Sequence, residues 1–217
     1  MPADRIFEDR EDAGRALAER LMQYAGRKDV IVLALPRGGV PVGAEVARAL
    51  RAPLDILVVR KLGLPGQEEL AMGAIASGGI RVLNEEVVSL TGVPEEVIER
   101  VAEEERRELE RREAAYRGDR PQPNVAGRTV ILVDDGIATG STLRAAVEAL
   151  RQRSPARIVV AVPTAPRAAC EMLKQVADEV VCVTTPEPFF AISLSYRNFP
   201  QMTDEEVREI LARTKAP

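Results

Sequence analysis

One stretch decides the fold of this chain: Val130-Ile131-Leu132-Val133-Asp134-Asp135-Gly136-Ile137-Ala138-Thr139-Gly140-Ser141-Thr142-Leu143. It begins as a continuous apolar run, which predicts a strand buried on both faces of a parallel sheet. Two carboxylates and a loop of small residues follow, and apolar residues then recur at helical spacing from Leu143 onward. The stretch therefore predicts a strand, an acidic strand tip, a small-residue loop and a helix that begins near Ser141.

This order of elements is suited to binding a phosphate group. Backbone N–H groups of the loop and of the first helical turn point outward, and the helix dipole favours an anion there. Small side chains let the backbone close around the phosphate. Asp134 and Asp135 would repel a bare phosphate, so we expect them to face sugar hydroxyls or a magnesium ion. An ordinary strand-to-helix turn with a solvated acid pair is the simpler alternative.

Composition limits the kind of protein this is. The 217 residues and the 46% hydrophobic content predict one compact domain over 1–217, with its core at about 28–184. A net charge of -4 argues against a nucleic-acid surface. The sequence contains no histidine, which excludes serine-type triads, histidine-ligated metals and histidine bases. Cys170 and Cys182 are too few for a disulfide framework, so we expect buried free thiols.

The sequence carries no targeting or membrane signal that we can identify. No signal peptide opens the chain, and no apolar run approaches the roughly 20 residues of a membrane span. We therefore expect a cytoplasmic protein without a membrane partner.

Five apolar strands alternate with helices, which predicts a parallel α/β sheet with helices on both faces. The strands are predicted at 30–35, 54–59, 130–133, 157–162 and 179–183. Between the second and third strands, the sequence favours a mobile loop over 62–69, a hairpin around Gly78-Gly79, and a charged helical insertion at about 94–117. The charged run is typical of a solvated helix face, with partner binding as the alternative.

The residues that could carry chemistry follow the predicted strands. They occupy the segments 36–39, 60–69, 134–142, 163–166 and 185–197. In open α/β sheets, ligands bind beyond the carboxyl ends of the strands. The sequence therefore predicts one active site at that edge of the sheet.

Two of these segments carry positive charge. Arg37-Gly38-Gly39 offers a guanidinium and closely approaching backbone N–H groups, which suit an oxyanion; a simple glycine turn is the alternative. Arg60-Lys61 ends the next strand, and two solvated basic residues are the alternative there.

The stretch 131–142 resembles the PRPP-binding motif of type I phosphoribosyltransferases. That motif is an apolar strand, two adjacent acids, two mostly apolar residues and a loop of the form Ala/Asp-Thr-Gly-x-Thr. Asp134-Asp135 match the acids, and Ala138-Thr139-Gly140-Ser141-Thr142 match the loop; Gly136 departs from the usual branched residue. Arg60-Lys61 followed by Gly63-Leu64-Pro65 is similar to the start of the flexible loop in adenine-type members, with one residue missing. The implied fold has a five-stranded parallel sheet, a flexible-loop hairpin and a C-terminal hood at about 185–200.

The resemblance also implies roles for individual residues. The loop 138–142 would bind the 5'-phosphate of PRPP. Asp134 and Asp135 would hold the ribose hydroxyls and Mg²⁺, directly or through water. Arg37, Gly38 and Gly39 would bind pyrophosphate, and Arg60 and Lys61 would stabilise its departure. Phe189 and Phe190 of the hood would stack on the base, although core packing is equally open for them.

The activity implied is a Mg²⁺-dependent pentosyl transfer in nucleotide metabolism. The 5-phosphoribosyl group of PRPP would pass to a purine or pyrimidine base in salvage, with release of pyrophosphate, and the family suggests a homodimer. The residues nominate no firm general base; Glu68 and Glu69 are the candidates. A non-catalytic PRPP- or nucleotide-sensing regulator on the same fold is the alternative. A dinucleotide-binding oxidoreductase is disfavoured because Gly38-Gly39-x-x-x-Gly43 has the wrong spacing.

Overall fold

The computed structural model describes residues 5–118 and 120–214, so the remainder of the predicted 1–217 domain lies outside the described residues. Helices and strands alternate along most of the chain. In order they are α1 (Arg10–Glu19), β1 (Val30–Ala34), α2 (Gly39–Leu50), β2 (Leu54–Ile56), β3 (Val59–Leu64), β4 (Gln67–Ala76), β5 (Ile80–Leu83), α3 (Glu85–Thr91), α4 (Glu95–Arg117), β6 (Thr129–Val133), α5 (Ser141–Arg151), β7 (Arg157–Thr164), α6 (Arg167–Leu173), β8 (Glu179–Thr184) and α7 (Asp204–Arg213).

The centre of the fold is a five-stranded parallel sheet, which confirms the prediction. Its strands lie in the order β2-β1-β6-β7-β8. The register places Val133 opposite both Ala34 and Ala161, so the carboxyl ends of β1, β6 and β7 meet at one edge. The loops after these three strands therefore emerge side by side.

Helices cover both faces of this sheet, as the apolar strands require. Alternate residues of β1 point to opposite sides: Val32 enters one hydrophobic core, and Leu33 enters the other. The first core is completed by α1, α2 and α7, and the second by α5 and α6. Cys170 and Cys182 join the second core as free thiols; Cys170 is buried, as predicted, whereas Cys182 is only half-buried.

A separate antiparallel sheet of β3, β4 and β5 replaces part of the predicted architecture. The predicted strand 54–59 divides, because β2 belongs to the parallel sheet and Val59 already begins β3. The mobile loop predicted over 62–69 is instead part of a hairpin, because β3 runs to Leu64 and β4 begins at Gln67. Pro65-Gly66, with φ +83° at Gly66, makes the tight turn between them. The hairpin predicted around Gly78-Gly79 is confirmed.

The charged helix predicted at 94–117 is confirmed as α4, which has 23 residues. Its sparse apolar side chains, including Ile98 and Leu109, are buried against β3, β4 and α7. The helix therefore covers the antiparallel sheet while its charged face meets solvent. Among the described residues, no helix combines the length and the apolar character needed to cross a membrane.

Candidate active site

The loop 138–142, called the phosphate loop after its predicted ligand, lies between β6 and α5, and the helix begins at Ser141 as expected. Gly140 adopts φ +82°, a left-handed conformation that favours glycine. A Cβ atom at this position would lie 2.7 Å from Cε of Met172 on α6. The N–H of Ile137 donates to the carbonyl of Thr164, which ties the loop to β7. Backbone conformation and close packing therefore both require the small loop residues seen in the sequence.

A cavity of about 270 Å³ opens directly above this loop. It brings together segments that are far apart in sequence: the end of β6, the phosphate loop, the antiparallel hairpin and the hood. Its lining includes Lys61, Asp134, Gly136, Ile137, Ala138, Thr139, Gly140, Thr142, Leu143 and Ile192. The cavity therefore holds one acid, one cation and the N-terminus of α5 within a single space.

The Arg37-Gly38-Gly39 segment packs against the acid pair, as expected for neighbouring strand ends. A Cβ atom on Gly38 would lie 1.9 Å from Oδ2 of Asp135, and one on Gly39 would lie 2.8 Å from the carbonyl of Val133. Glycine is needed at both positions for this close approach. The Pro36–Arg37 peptide is cis, and Nη1 of Arg37 lies 3.8 Å from Oδ1 of Asp204.

The structure separates the two basic residues at 60–61. Lys61 lines the cavity. The Nε of Arg60 instead donates to Oε2 of Glu105 on α4 at 2.6 Å. This difference follows from their place in β3, where successive side chains point to opposite faces.

The two acids at the tip of β6 have different surroundings. Oδ1 of Asp134 accepts a hydrogen bond from the N–H of Asp135 at 2.8 Å. Oδ2 of Asp135 accepts one from Nε of Arg10 on α1 at 2.9 Å. Burial raises the pKa of both carboxyls, and the negative charge of Asp135 raises that of Asp134 further. Arg10 opposes the rise in the pKa of Asp135, so the guanidinium favours the ionised pair.

The hood aromatics do not enter the cavity in this conformation. Phe190 is 79% exposed and Phe189 is half-buried, and the hood residue that lines the cavity is Ile192. Base stacking on Phe189 and Phe190 stays a prediction. Tyr196 and Phe199, farther along the hood, stack on each other with centroids 4.7 Å apart.

Several residues near the site were not found from the sequence. Arg112 and Tyr116 of α4 line a cavity of about 70 Å³ that also includes Asp134 and Thr142. Arg10 reaches Asp135 across 125 positions of sequence. Such contacts depend on how helices dock on the sheet, and spacing along the chain carries no signal for them. The sequence offered one signal for Arg112, namely its place on the partly buried side of a charged helix.

Known proteins resemble this chain in sequence and in fold. The phosphoribosyl transferase domain family matches residues 3–197. Proteins of two Mycobacterium tuberculosis strains, each named "Putative phosphoribosyl transferase", are 49% identical over 209 residues, which is 96% of this chain and 47% of theirs. The chain thus spans about half the length of these curated relatives.

Solved structures show the same relationship. The crystal structure of TT1426 from Thermus thermophilus superposes with a TM-score of 0.87 at 44% identity, over 96% of this chain and 99% of that one. A purine phosphoribosyltransferase from Pyrococcus horikoshii shares the fold, with a TM-score of 0.50 at 18% identity over 92% of this chain and 98% of that one. The sheet order and the strand-tip phosphate loop thus define an α/β fold of the type I phosphoribosyltransferase class. Within that class, the chain belongs to the phosphoribosyl transferase domain family.

Proposed function

We propose that this protein transfers the 5-phosphoribosyl group of PRPP to a nitrogenous base and releases pyrophosphate. One observation carries the proposal: a single cavity holds Asp134, Lys61 and the phosphate loop at the N-terminus of α5. A ligand that fits these groups carries a phosphate, a polar sugar and a second anionic group. PRPP has all three.

The phosphate loop would fix one end of this substrate. Backbone N–H groups at 139–142 and the dipole of α5 favour the dianionic 5'-phosphate. Asp134, which lines the same cavity, would then face the ribose hydroxyls and place negative charge near C1. That charge stabilises a sugar that becomes oxocarbenium-like as the bond to pyrophosphate breaks.

Pyrophosphate would be held by Lys61, Arg37 and the backbone of Gly38 and Gly39. Its departure also calls for a divalent cation, and the cavity is suitable for one. Asp134, Thr139 and Thr142 offer hard oxygen donors, and Mg²⁺ is commonly held by one or two carboxylates together with substrate phosphates. Such an ion, when bound, neutralises charge that develops on the leaving group.

The base would approach from the hood side of the cavity, where Ile192 lies. Phe189 would reach the base through movement of the hood, as part of the same proposal. The antiparallel hairpin would close over the substrate and exclude water, which protects a reactive sugar centre from hydrolysis. Glu68 and Glu69 are exposed near the hairpin turn, and they stay candidates for the general base. A homodimer is proposed by analogy with the family.

A PRPP- or nucleotide-sensing regulator is the second candidate. One observation favours it: two expected pyrophosphate ligands already face carboxylates. Arg60 pairs with Glu105, and Arg37 lies near Asp204. A pyrophosphate group would have to compete with these carboxylates. A regulator of this kind binds PRPP and shows no turnover.

The experiment that tests the proposal is a pyrophosphate-release assay. PRPP and Mg²⁺ are supplied with adenine, guanine, hypoxanthine, xanthine, uracil or orotate in turn. Base-dependent release of pyrophosphate is the expected result. PRPP binding without release from any base would favour the regulator instead.

Gly140→Val is the variant that links this activity to the phosphate loop. We expect it to abolish turnover, because the new side chain meets Met172 and the left-handed φ disfavours valine. Gly127→Val is the matched control, since Gly127 has φ +68° but open space around its Cβ position. Turnover retained in a folded Gly140→Val variant contradicts the assignment of the loop.

A further inference from the structure

An ion pair between Arg10 and Asp135 joins α1 to the tip of β6, and the proposed function gives Arg10 no role. Nε of Arg10 donates to Oδ2 of Asp135 at 2.9 Å, and the two side chains are only 9% and 13% exposed. Removing a single partner from a buried pair leaves an uncompensated charge, which is strongly unfavourable. Arg10 therefore constrains an acid that the family motif places at the ribose.

The guanidinium of Arg10 is itself fixed on two further sides. Nη1 donates to the carbonyl of Pro200 at 2.7 Å, and the guanidinium carbon lies 3.9 Å from the ring centroid of Phe199. Phe199 stacks on Tyr196, whose hydroxyl donates to the backbone carbonyl of Asp135. We call Arg10, Tyr196, Phe199 and Pro200 the Arg10 clamp. It holds both the side chain and the backbone of Asp135.

We propose that Arg10 is a positioning residue that gives Asp134 and Asp135 different roles, a division set by where each side chain lies. The inference rests on the proposed function. Within the described part of the chain, Asp134 lines both cavities at the sheet edge, whereas Asp135 lines neither. The clamp holds Asp135 outside the cavity, so Asp134 is the acid that meets the ribose. Asp135 affects the ribose site only indirectly. Its backbone N–H donates to the carboxylate of Asp134, and its negative charge lies beside that carboxylate.

The electrostatics agree with this division. Two adjacent buried carboxylates repel each other, and the guanidinium of Arg10, in contact with Asp135, offsets part of that repulsion. The other groups that face the pair are Tyr196 beside Asp135, and Lys61, Arg112 and Tyr116 along the cavities beside Asp134. Loss of the guanidinium should therefore release the side chain of Asp135 from its position.

A ligand-free measurement tests this consequence. Crystal structures of the ligand-free wild type and Arg10→Gln are compared. We expect the carboxylate of Asp135 to leave its wild-type position in the variant, because its partner is gone. Arg5→Gln is the matched control, because Arg5 also pairs with an aspartate and lies over a phenylalanine ring, but is exposed. An unchanged position of the Asp135 side chain in Arg10→Gln overturns the inference.

Calorimetric titration of PRPP with Mg²⁺ tests the division itself. We expect Arg10→Gln to weaken binding by about tenfold or more at neutral pH, and Arg10→Lys to restore part of the affinity. The double variant Arg10→Gln/Asp135→Asn removes both charges and should bind better than Arg10→Gln alone. Asp134→Asn should lose binding although the clamp is intact. Equal losses in folded Asp134→Asn and Asp135→Asn contradict the division.

The two measurements separate failure of the inference from failure of the proposed function. If wild-type protein does not bind PRPP, the proposed function fails, while the ligand-free crystal structures still decide whether Arg10 positions Asp135. If Arg10→Gln does not fold, the double variant is compared with Asp134→Asn. A loss of PRPP binding in the folded double variant as large as that in Asp134→Asn overturns the inference.

Discussion

At the scale of single residues, the site depends on how closely backbone and carboxylate approach each other. Gly38 has an ordinary φ of −62°, so backbone strain is not the reason for glycine there. The reason is steric, because Oδ2 of Asp135 occupies the position that a Cβ would need. Asp135 cannot move aside at low cost, since Arg10 holds the same oxygen.

Gly38→Ala should therefore destabilise the fold by about 1–3 kcal/mol through overpacking and displace the segment 37–39, the proposed pyrophosphate site. Urea unfolding measures the first effect, and pyrophosphate binding by calorimetry measures the second. Gly79→Ala is a suitable control, because its left-handed φ of +72° adds strain but its Cβ position lies in open space. A Gly38→Ala protein with unchanged stability and pyrophosphate affinity would show that the loop is not packed as described.

At the scale of elements, α4 connects the site to the C-terminal helix. Tyr116 donates from its hydroxyl to Oδ1 of Asp204 at 2.8 Å, and it also lines the small cavity beside Asp134. Burial and the neighbouring carboxylate raise the pKa of Tyr116 to about 12. The hydroxyl therefore remains a donor throughout the neutral range, and the contact ties α4 to α7.

Tyr116→Phe should lower the free energy of unfolding by about 1 kcal/mol, because it removes one hydrogen bond to a half-exposed carboxylate. Urea unfolding is the measurement. Arg111→Gln, which removes an exposed pair with Glu108 on the same helix, should change stability by less than about 0.5 kcal/mol. Equal effects of the two substitutions would mean that the contact between α4 and α7 contributes little.

The elements also show what a sequence can and cannot indicate. Apolar runs such as 130–133 predicted the buried strands, because burial on both faces leaves a continuous signature. The pairing of β3 with β4 was missed because Gly63 and Pro65-Gly66 interrupt any alternation. The pairing is nevertheless stable, since Pro-Gly suits the two-residue turn that joins the strands.

At the scale of the whole molecule, the position of the site follows from the topology. Parallel strands in register bring the segment 37–39, the two acids and the loop 138–142 to one edge, so local motifs were enough to predict that these segments meet. The surroundings of each acid were not predictable. Arg10, Arg112 and Asp204 reach the site through helix docking, and their spacing in sequence carries no period that would reveal it.

We propose that this site binds PRPP through Asp134 and the phosphate loop. Calorimetric titration of PRPP into the protein, with and without Mg²⁺, tests it most directly when Asp134→Asn is measured alongside. Asp29→Asn is the control, because Asp29 is an exposed acid at the opposite end of the sheet that pairs with Arg27. We predict Mg²⁺-dependent binding in wild type and Asp29→Asn, and its loss in Asp134→Asn. The absence of PRPP binding to folded wild type, or undiminished binding to Asp134→Asn, would contradict the claim.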